Sequence, residues 1–202
     1  MFPKNENAKV IMSLRQSGIR NIDLLKAIEL FPPSEFINDI KITNKKEQLI
    51  IKEVAIIAKL INLTMPIKRL RTNVLTIGCF AGWTNLVLSM LYRRVYTICL
   101  NNIIKIKIEK KTELLNLKNI FIKKSLYENG WPEVAPFETI ISFSPFVKLP
   151  SKLLNQLSSD ALLLMPLFNK RKKKYEVILI NNNKKIFEAN VFLSELENNN
   201  LI

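Results

Sequence analysis

Apolar residues in the first third of the chain recur at helical spacing. Val10, Ile11 and Leu14, and then Ile22, Leu24, Leu25 and Ile28, line one face each of two short helices expected at residues 9–16 and 21–30. Gly18 between them suits a helix C-terminus, Asn21 is placed to cap the second helix, and Pro32-Pro33 stop it. A longer helix follows at residues 46–62, with Ile50, Val54, Ile57 and Ile61 on one face. The pattern then changes. Short apolar runs at residues 73–77, 95–99, 120–122, 139–143 and 161–165 have the length and flanks of buried strands. Helical stretches at 83–92, 103–117 and 151–157 lie between them, and 175–180 and 185–192 read as two closing strands joined by a turn at 181–183. This alternation predicts an α/β fold with a doubly wound, mostly parallel sheet and an antiparallel C-terminal edge. Residues 1–202 are expected to form a single domain, with a helical N-terminal cap at 1–66 and the sheet core at 67–202.

Composition narrows the chemistry. The chain has 202 residues, 48% of them hydrophobic, which suits one packed α/β domain. Histidine is absent and there are two cysteines, Cys79 and Cys99. That removes disulfide-rich modules, the usual Cys/His zinc sites, and hydrolases that use histidine as base. The cysteines could form a redox pair at neighbouring strand ends or be two buried, inert thiols. The formal net charge is +14. One reading is attraction to nucleic acid or another anionic partner. The other is drift in a chain rich in Lys, Asn and Ile, with its lysines scattered. The basic run at 170–174 likewise reads either as an anion-binding element or as a solvated hairpin turn. The apolar window at 49–67 is interrupted by Lys52, Glu53, Lys59 and Pro66, so no membrane span is expected. A cytoplasmic monomer is the expectation.

The glycines mark a site. There are four, Gly18, Gly78, Gly82 and Gly130, where ordinary usage of roughly 7% would give about fourteen. Gly78 and Gly82 stand at the exit of the first strand, in Thr76-Ile77-Gly78-Cys79-Phe80-Ala81-Gly82-Trp83. Such a turn either lets a ligand approach the start of the next helix or is a tight strand-to-helix connection holding nothing.

Val95-Tyr96-Thr97-Ile98, Gly130-Trp131-Pro132-Glu133, Ala135-Pro136-Phe137-Glu138, and Leu149-Pro150 through Leu153-Leu154-Asn155-Gln156-Leu157 occur in that order. Ahead of them stand Ser17-Gly18-Ile19-Arg20, Phe31-Pro32 and Phe36. Together they resemble the protein-L-isoaspartate O-methyltransferase family along nearly the whole chain. The resemblance implies a Rossmann-like methyltransferase fold and S-adenosylmethionine as cofactor. It implies isoaspartyl carboxylates in damaged proteins as substrate, hence protein repair. It places cofactor contacts at Thr76, Gly78, Cys79, Phe80, Gly82, Cys99, Leu100 and Leu126, and the family's active-site serine near Ile51.

Several of those positions depart from the family pattern. Thr76 stands for a Glu, Phe80 for the middle Gly of the loop, Trp83 for a Tyr, and Cys99 for the acid expected to hold the ribose hydroxyls. Leu126 stands for the Asp near the adenine, and Phe143-Ser144-Pro145 replace a small Thr-Ala-Ala. Thr43 is the hydroxyl nearest the lost serine. From residue 54 to residue 108 there is no Asp or Glu but eight Lys and Arg. A carboxylate grips a ribose diol through charge-assisted hydrogen bonds, and each such loss costs roughly 1.5–3 kcal/mol. Methyl transfer to a carboxylate needs no general base, because the nucleophile is already ionised at neutral pH. Two alternatives remain open at this stage: a catalytically silent family member acting through protein contacts, and a basic nucleic-acid-binding module on the same fold.

Overall fold

The computed structural model describes residues 4–33, 47–65, 71–78, 82–181 and 184–189. Among the described residues, three helices precede the sheet: α1 (Lys4–Gln16), α2 (Ile22–Leu30) and α3 (Glu47–Leu63). Strand β1 (Asn73–Ile77) leads to α4 (Trp83–Ser89), β2 (Arg94–Cys99) to α5 (Asn102–Leu114), and then comes β3 (Ile120–Lys124). Two 3₁₀ turns, Tyr127–Asn129 and Pro132–Val134, precede β4 (Phe137–Ser142). The chain continues through α6 (Ser151–Leu154), β5 (Leu157–Asn169), β6 (Lys174–Asn181) and β7 (Lys184–Ala189). The seven strands are ordered β3-β2-β1-β4-β5-β6-β7. Pairing is parallel from β3 through β5 and antiparallel for β5–β6 and β6–β7. The expected α/β architecture with an antiparallel C-terminal edge is therefore the one observed.

Alternation of side chains along each strand assigns the two faces. Val74, Val95, Ile141, Leu162, Leu164, Val177 and Leu179 pack with α1 to α4 in one cluster. Leu75, Ile77, Tyr96, Ile98, Ile140, Leu163 and Met165 pack on the opposite face with Phe146, Leu153 and Trp131. Each fully buried aliphatic or aromatic side chain contributes about 1.5–3 kcal/mol of transfer free energy, so both faces hold the sheet. Trp83 fastens the N-terminal helices to it. Its ring is fully buried, and Nε1 donates to the Phe31 carbonyl at 2.8 Å. Tyr96 makes aromatic contacts with Phe121, Trp131 and Phe137 across the second face.

Several boundaries differ from those expected. Helix α1 begins at Lys4 rather than residue 9, and the Asn7 amide donates to the Glu29 carbonyl at 2.9 Å, tying this polar first turn to α2. Helix α4 stops at Ser89, where Met90 and Leu91 turn back onto Val87 and Leu88. Helix α5 stops at Leu114 because Asn116 takes φ +51° and the Leu117 N–H returns to Thr112. Helix α6 ends at Leu154, since Gln156 turns to serve a neighbouring loop. The largest difference is β5. It extends from Leu157 to Asn169 because β4 supports its start and β6 its whole outer half. The polar Ser158, Ser159 and Asp160 and the proline Pro166 are carried along. Strands β6 and β7 pair on either side of residues 182–183, which lie outside the described residues, as do those from 190 onward.

Candidate active site

The parallel strands end together. Ile77 is level with Ile98 on β2 and Ser142 on β4, so the turns after β1, β2 and β4 meet at one carboxyl edge. Two glycines shape the first turn. Gly78 has φ +78°, its N–H donates to Ile98 O at 3.1 Å, and a Cβ there would lie 2.6 Å from Ser144 Oγ. Gly82 opens α4 at φ +84°, and a Cβ there would lie 2.8 Å from Ile108 Cγ1 of α5. Both positions combine a left-handed backbone with close neighbours, so a side chain would be excluded twice over. The strand exit after β4 closes on the same place. Phe143 N–H donates to Ile77 O at 2.8 Å, and Ser142 Oγ donates to the Ser144 carbonyl at 2.6 Å.

Thr76 lies below this edge, fully buried. Its Oγ1 is 2.8 Å from Thr97 Oγ1, its partner on β2, and 3.3 Å from the Tyr96 carbonyl. Thr97 Oγ1 in turn donates to Asn85 Oδ1 at 3.1 Å. A short polar chain therefore joins β1, β2 and α4 where the family pattern has a carboxylate. Its far end, Asn85 Nδ2, is buried without a hydrogen-bond partner among the described residues, and so is the adjacent Thr84 Oγ1. Thr97 and Asn85 are site residues that sequence reasoning missed. The available signal was that Thr76 and Thr97 each lie in the last turn-adjacent part of neighbouring apolar strands, where an isolated hydroxyl needs a partner.

Cys99 ends β2, buried, with Sγ 3.6 Å from the Asn101 carbonyl and 3.9 Å from that of Lys123. Burial pushes its thiol pKa up, against the opposing pull of Lys105. It is a neutral thiol near pH 7. Leu100 and Leu126 follow the ends of β2 and β3 and are 39% and 63% exposed. Both are apolar groups left open to solvent beside the edge. Ile51 falls within α3; its side chain, with Thr43, Cys79 and Phe80, lies outside the described residues. The structure thus brings Gly78, Gly82, Cys99 and Leu100 to the ends of β1 and β2, and Leu126 beside them past β3. Trp83, which occupies the family's Tyr position, turns away into the core. Phe143 is half-buried against the same core cluster.

A second recognisable segment is held elsewhere. Gln156 Oε1 accepts the Trp131 N–H at 2.7 Å, and its Nε2 donates to the carbonyls of Asn129 at 2.8 Å and Lys152 at 3.1 Å. Lys123 Nζ pairs with Glu133 at 2.8 Å and lies 5.5 Å from the Trp131 ring centroid. The Lys123 contact lowers the Glu133 pKa.

The arrangement fits an adenosyl group in its backbone and apolar demands. Gly78 takes a left-handed turn with its Cα packed against Ser144, and Leu100 and Leu126 leave apolar surface exposed beside the strand ends. At the end of β2 stands a buried thiol, Cys99, whose pKa burial pushes up. Among the described residues no group of acidic or thiol ligands could hold a metal ion.

Comparison with known proteins agrees with this geometry. A family model described as protein-L-isoaspartate(D-aspartate) O-methyltransferase matches residues 5–193. A protein-L-isoaspartate O-methyltransferase from Parvibaculum lavamentivorans is 32% identical over 169 residues, 81% of this chain and 76% of that protein. One from Rhodospirillum centenum is 30% identical over 183 residues, 85% of this chain and 80% of that protein. A solved protein-L-isoaspartate O-methyltransferase superposes with a TM-score of 0.75 at 16% identity, over 91% of this chain and 64% of that one. A Plasmodium falciparum protein assigned to the same class, solved in complex with S-adenosyl-L-homocysteine, gives a TM-score of 0.62 at 13% identity, over 90% and 94% of the two chains. At these identities the structures establish the fold.

Proposed function

Since this chain belongs to the protein-L-isoaspartate(D-aspartate) O-methyltransferase family, we propose that it methylates isoaspartyl carboxylates in damaged polypeptides, with S-adenosylmethionine as methyl donor. The observation that carries this assignment is the glycine-shaped turn after β1, at the carboxyl edge of a sheet whose sequence matches the family from residue 5 to residue 193. The named relatives support it over a nucleic-acid-binding module on the same fold.

The cofactor supplies an electrophilic methyl group on a sulfonium sulfur. The protein's share is binding, alignment and exclusion of water. Gly78 lets the main chain come close, and the Leu100 and Leu126 side chains border an apolar shelf. Cys99 Sγ is the polar group at the diol position, able to exchange one weak hydrogen bond where a carboxylate would make two strong ones. The substrate carboxylate is ionised well below neutral pH. No histidine is required, which suits a chain that has none. Lys105 stands close enough to Cys99 to influence its thiol. Positive charge here favours an anionic substrate and weakens retention of a cationic cofactor. The loss of one charged hydrogen bond, roughly 1.5–3 kcal/mol, corresponds to about one to two decades in affinity. The chain is accordingly a weak binder of its cofactor, acting as a monomer in the cytoplasm. Among the described residues no helix is long and apolar enough to cross a membrane.

Transfer of labelled methyl to an isoaspartyl peptide, with the aspartyl peptide of the same sequence as control, tests the proposal. Base-labile label on the isoaspartyl peptide alone is expected. No label above control, from protein that still binds S-adenosylhomocysteine, would mark a silent family member.

A further inference from the structure

The long outer half of β5 is not used by the site described above. Because β4 residue Ile141 is level with Leu164, and Thr76 with Ile141, Gly78 is level with Pro166. The hairpin formed by β5 and β6 therefore continues past the carboxyl edge by three residues to Asn169, about 10 Å at ~3.3 Å per strand residue. This extension is braced. Phe146 N–H donates to Pro166 O at 3.0 Å, and Phe168 N–H donates to Phe146 O at 2.9 Å, linking it to the loop that leaves β4. Phe168 and Tyr175 stack edge to face across the hairpin, with ring centroids 5.2 Å apart.

The tip is built as firmly. Asn169 Oδ1 accepts the N–H groups of Arg171 and Lys172 at 3.0 and 3.2 Å, and its amide donates to Glu176 Oε2 at 2.7 Å. Buried Glu176 also pairs with Lys172 at 2.9 Å and with Lys174 at 3.9 Å. All of residues 170–174 are exposed. Lys170, Arg171 and Lys173 have no anionic partner among the described residues. Three cations are thus held on a braced arm whose tip lies about 10 Å beyond the carboxyl edge along the strands and, two to three strands over from β1, about 10–14 Å to the side of it at ~4.8 Å per strand.

The geometry points to this turn as a docking arm for acidic polypeptide, so that isoaspartyl sites with acidic side chains a few residues away are bound in preference. This rests on the function proposed above. An extended substrate chain covers the resulting ~15 Å in about five residues, which places the favoured Asp or Glu about four to six residues from the isoaspartate. A polypeptide suits the arm better than a nucleic acid. The two aromatic rings of the hairpin are occupied with each other, leaving no free ring on which bases could stack.

The test uses fluorescein-labelled isoaspartyl peptides with acidic or neutral flanks, binding to the full chain in the presence of S-adenosylhomocysteine and read by anisotropy. Exposed charges at this distance, screened by salt, should favour the acidic peptide about five- to twentyfold at low ionic strength. The preference should fall to about one at ~0.5 M salt and in the triple variant Lys170→Ser, Arg171→Ser, Lys173→Ser. The charge-preserving Lys170→Arg, Lys173→Arg variant should keep it, which separates charge from folding. Equal binding of the two peptides, or a preference that survives the triple variant, would overturn the proposal. So would single-stranded RNA displacing the acidic peptide at lower concentration than the peptide's own. Methylation of the neutral peptide by the parent protein distinguishes the two claims. Methylation without a flank preference removes the docking arm alone, and a flank preference without methylation removes the proposed activity alone.

Discussion

Replacing Gln156 with alanine should be among the costlier single changes in this chain. The side chain is 5% exposed and makes three hydrogen bonds: from the Trp131 N–H at 2.7 Å, and to the carbonyls of Asn129 and Lys152 at 2.8 and 3.1 Å. Alanine removes all three and leaves the Trp131 N–H without its partner. Each ordinary hydrogen bond contributes about 1 kcal/mol net, and an orphaned buried group costs about 1–3 kcal/mol. The bond to Lys152 closes on a short helix whose carbonyls water can reach, so it counts least. The expected loss is about 2–4 kcal/mol, which for a domain of this size lowers Tm by about 4–16 °C. Urea unfolding followed by circular dichroism, with a thermal melt beside it, gives the number. Gln156→Glu keeps the acceptor for Trp131 and should cost less than alanine. A Gln156→Ala protein within about 0.5 kcal/mol of the parent would refute the reasoning. It would also remove the physical reason for Gly130-Trp131-Pro132-Glu133 and the Leu-Leu-Asn-Gln-Leu segment to occur in one chain.

Three further outcomes are expected. Cys99→Glu should tighten S-adenosylhomocysteine binding about tenfold or more, since a charge-assisted hydrogen bond contributes roughly 1.5–3 kcal/mol less some burial cost; calorimetry showing no gain would remove Cys99 from the diol position. Gly78→Ala should destabilise the protein by about 1–3 kcal/mol, because the new Cβ meets Ser144 Oγ at 2.6 Å with φ at +78°; an unchanged melt would contradict the geometry of the turn. Burial raises the Tyr92 pKa, against the hydrogen bond to Thr139. Its folded value then exceeds its unfolded one, so its contribution is whole below the ordinary phenol value of about 10 and is lost as pH climbs through the folded value. Urea midpoints should fall in that alkaline window, and Tyr92→Phe should flatten the fall.

The sheet was legible wherever an apolar run ended in a breaker. The apolar run at 73–77 stops at Gly78, and β1 has those same bounds, Asn73–Ile77. The basic run at 170–174 reads as a possible hairpin turn, and residues 170–173 form the connection between β5 and β6 while Lys174 opens β6. The length of β5 was hidden for a physical reason. Ser158, Ser159, Asp160 and Pro166 each argue against a strand locally, and only pairing with β4 and β6 overrides them. At the site, the glycines were legible because φ near +80° is a backbone demand written in one residue type. The surroundings of Thr76 were not. Its hydroxyl is satisfied by Thr97, and Thr97 by Asn85, and these partners are separated by 21 and 12 positions in sequence. The burial of Trp83 against Phe31 was equally invisible, because it depends on where the N-terminal helices dock.

Calorimetric titration of the purified chain with S-adenosylhomocysteine tests most directly whether the turn after β1 still receives an adenosyl group. Saturable one-to-one binding is expected, with a dissociation constant between about 1 μM and 1 mM. A natively folded protein that gives no binding heat at several times the upper end of that range would contradict it.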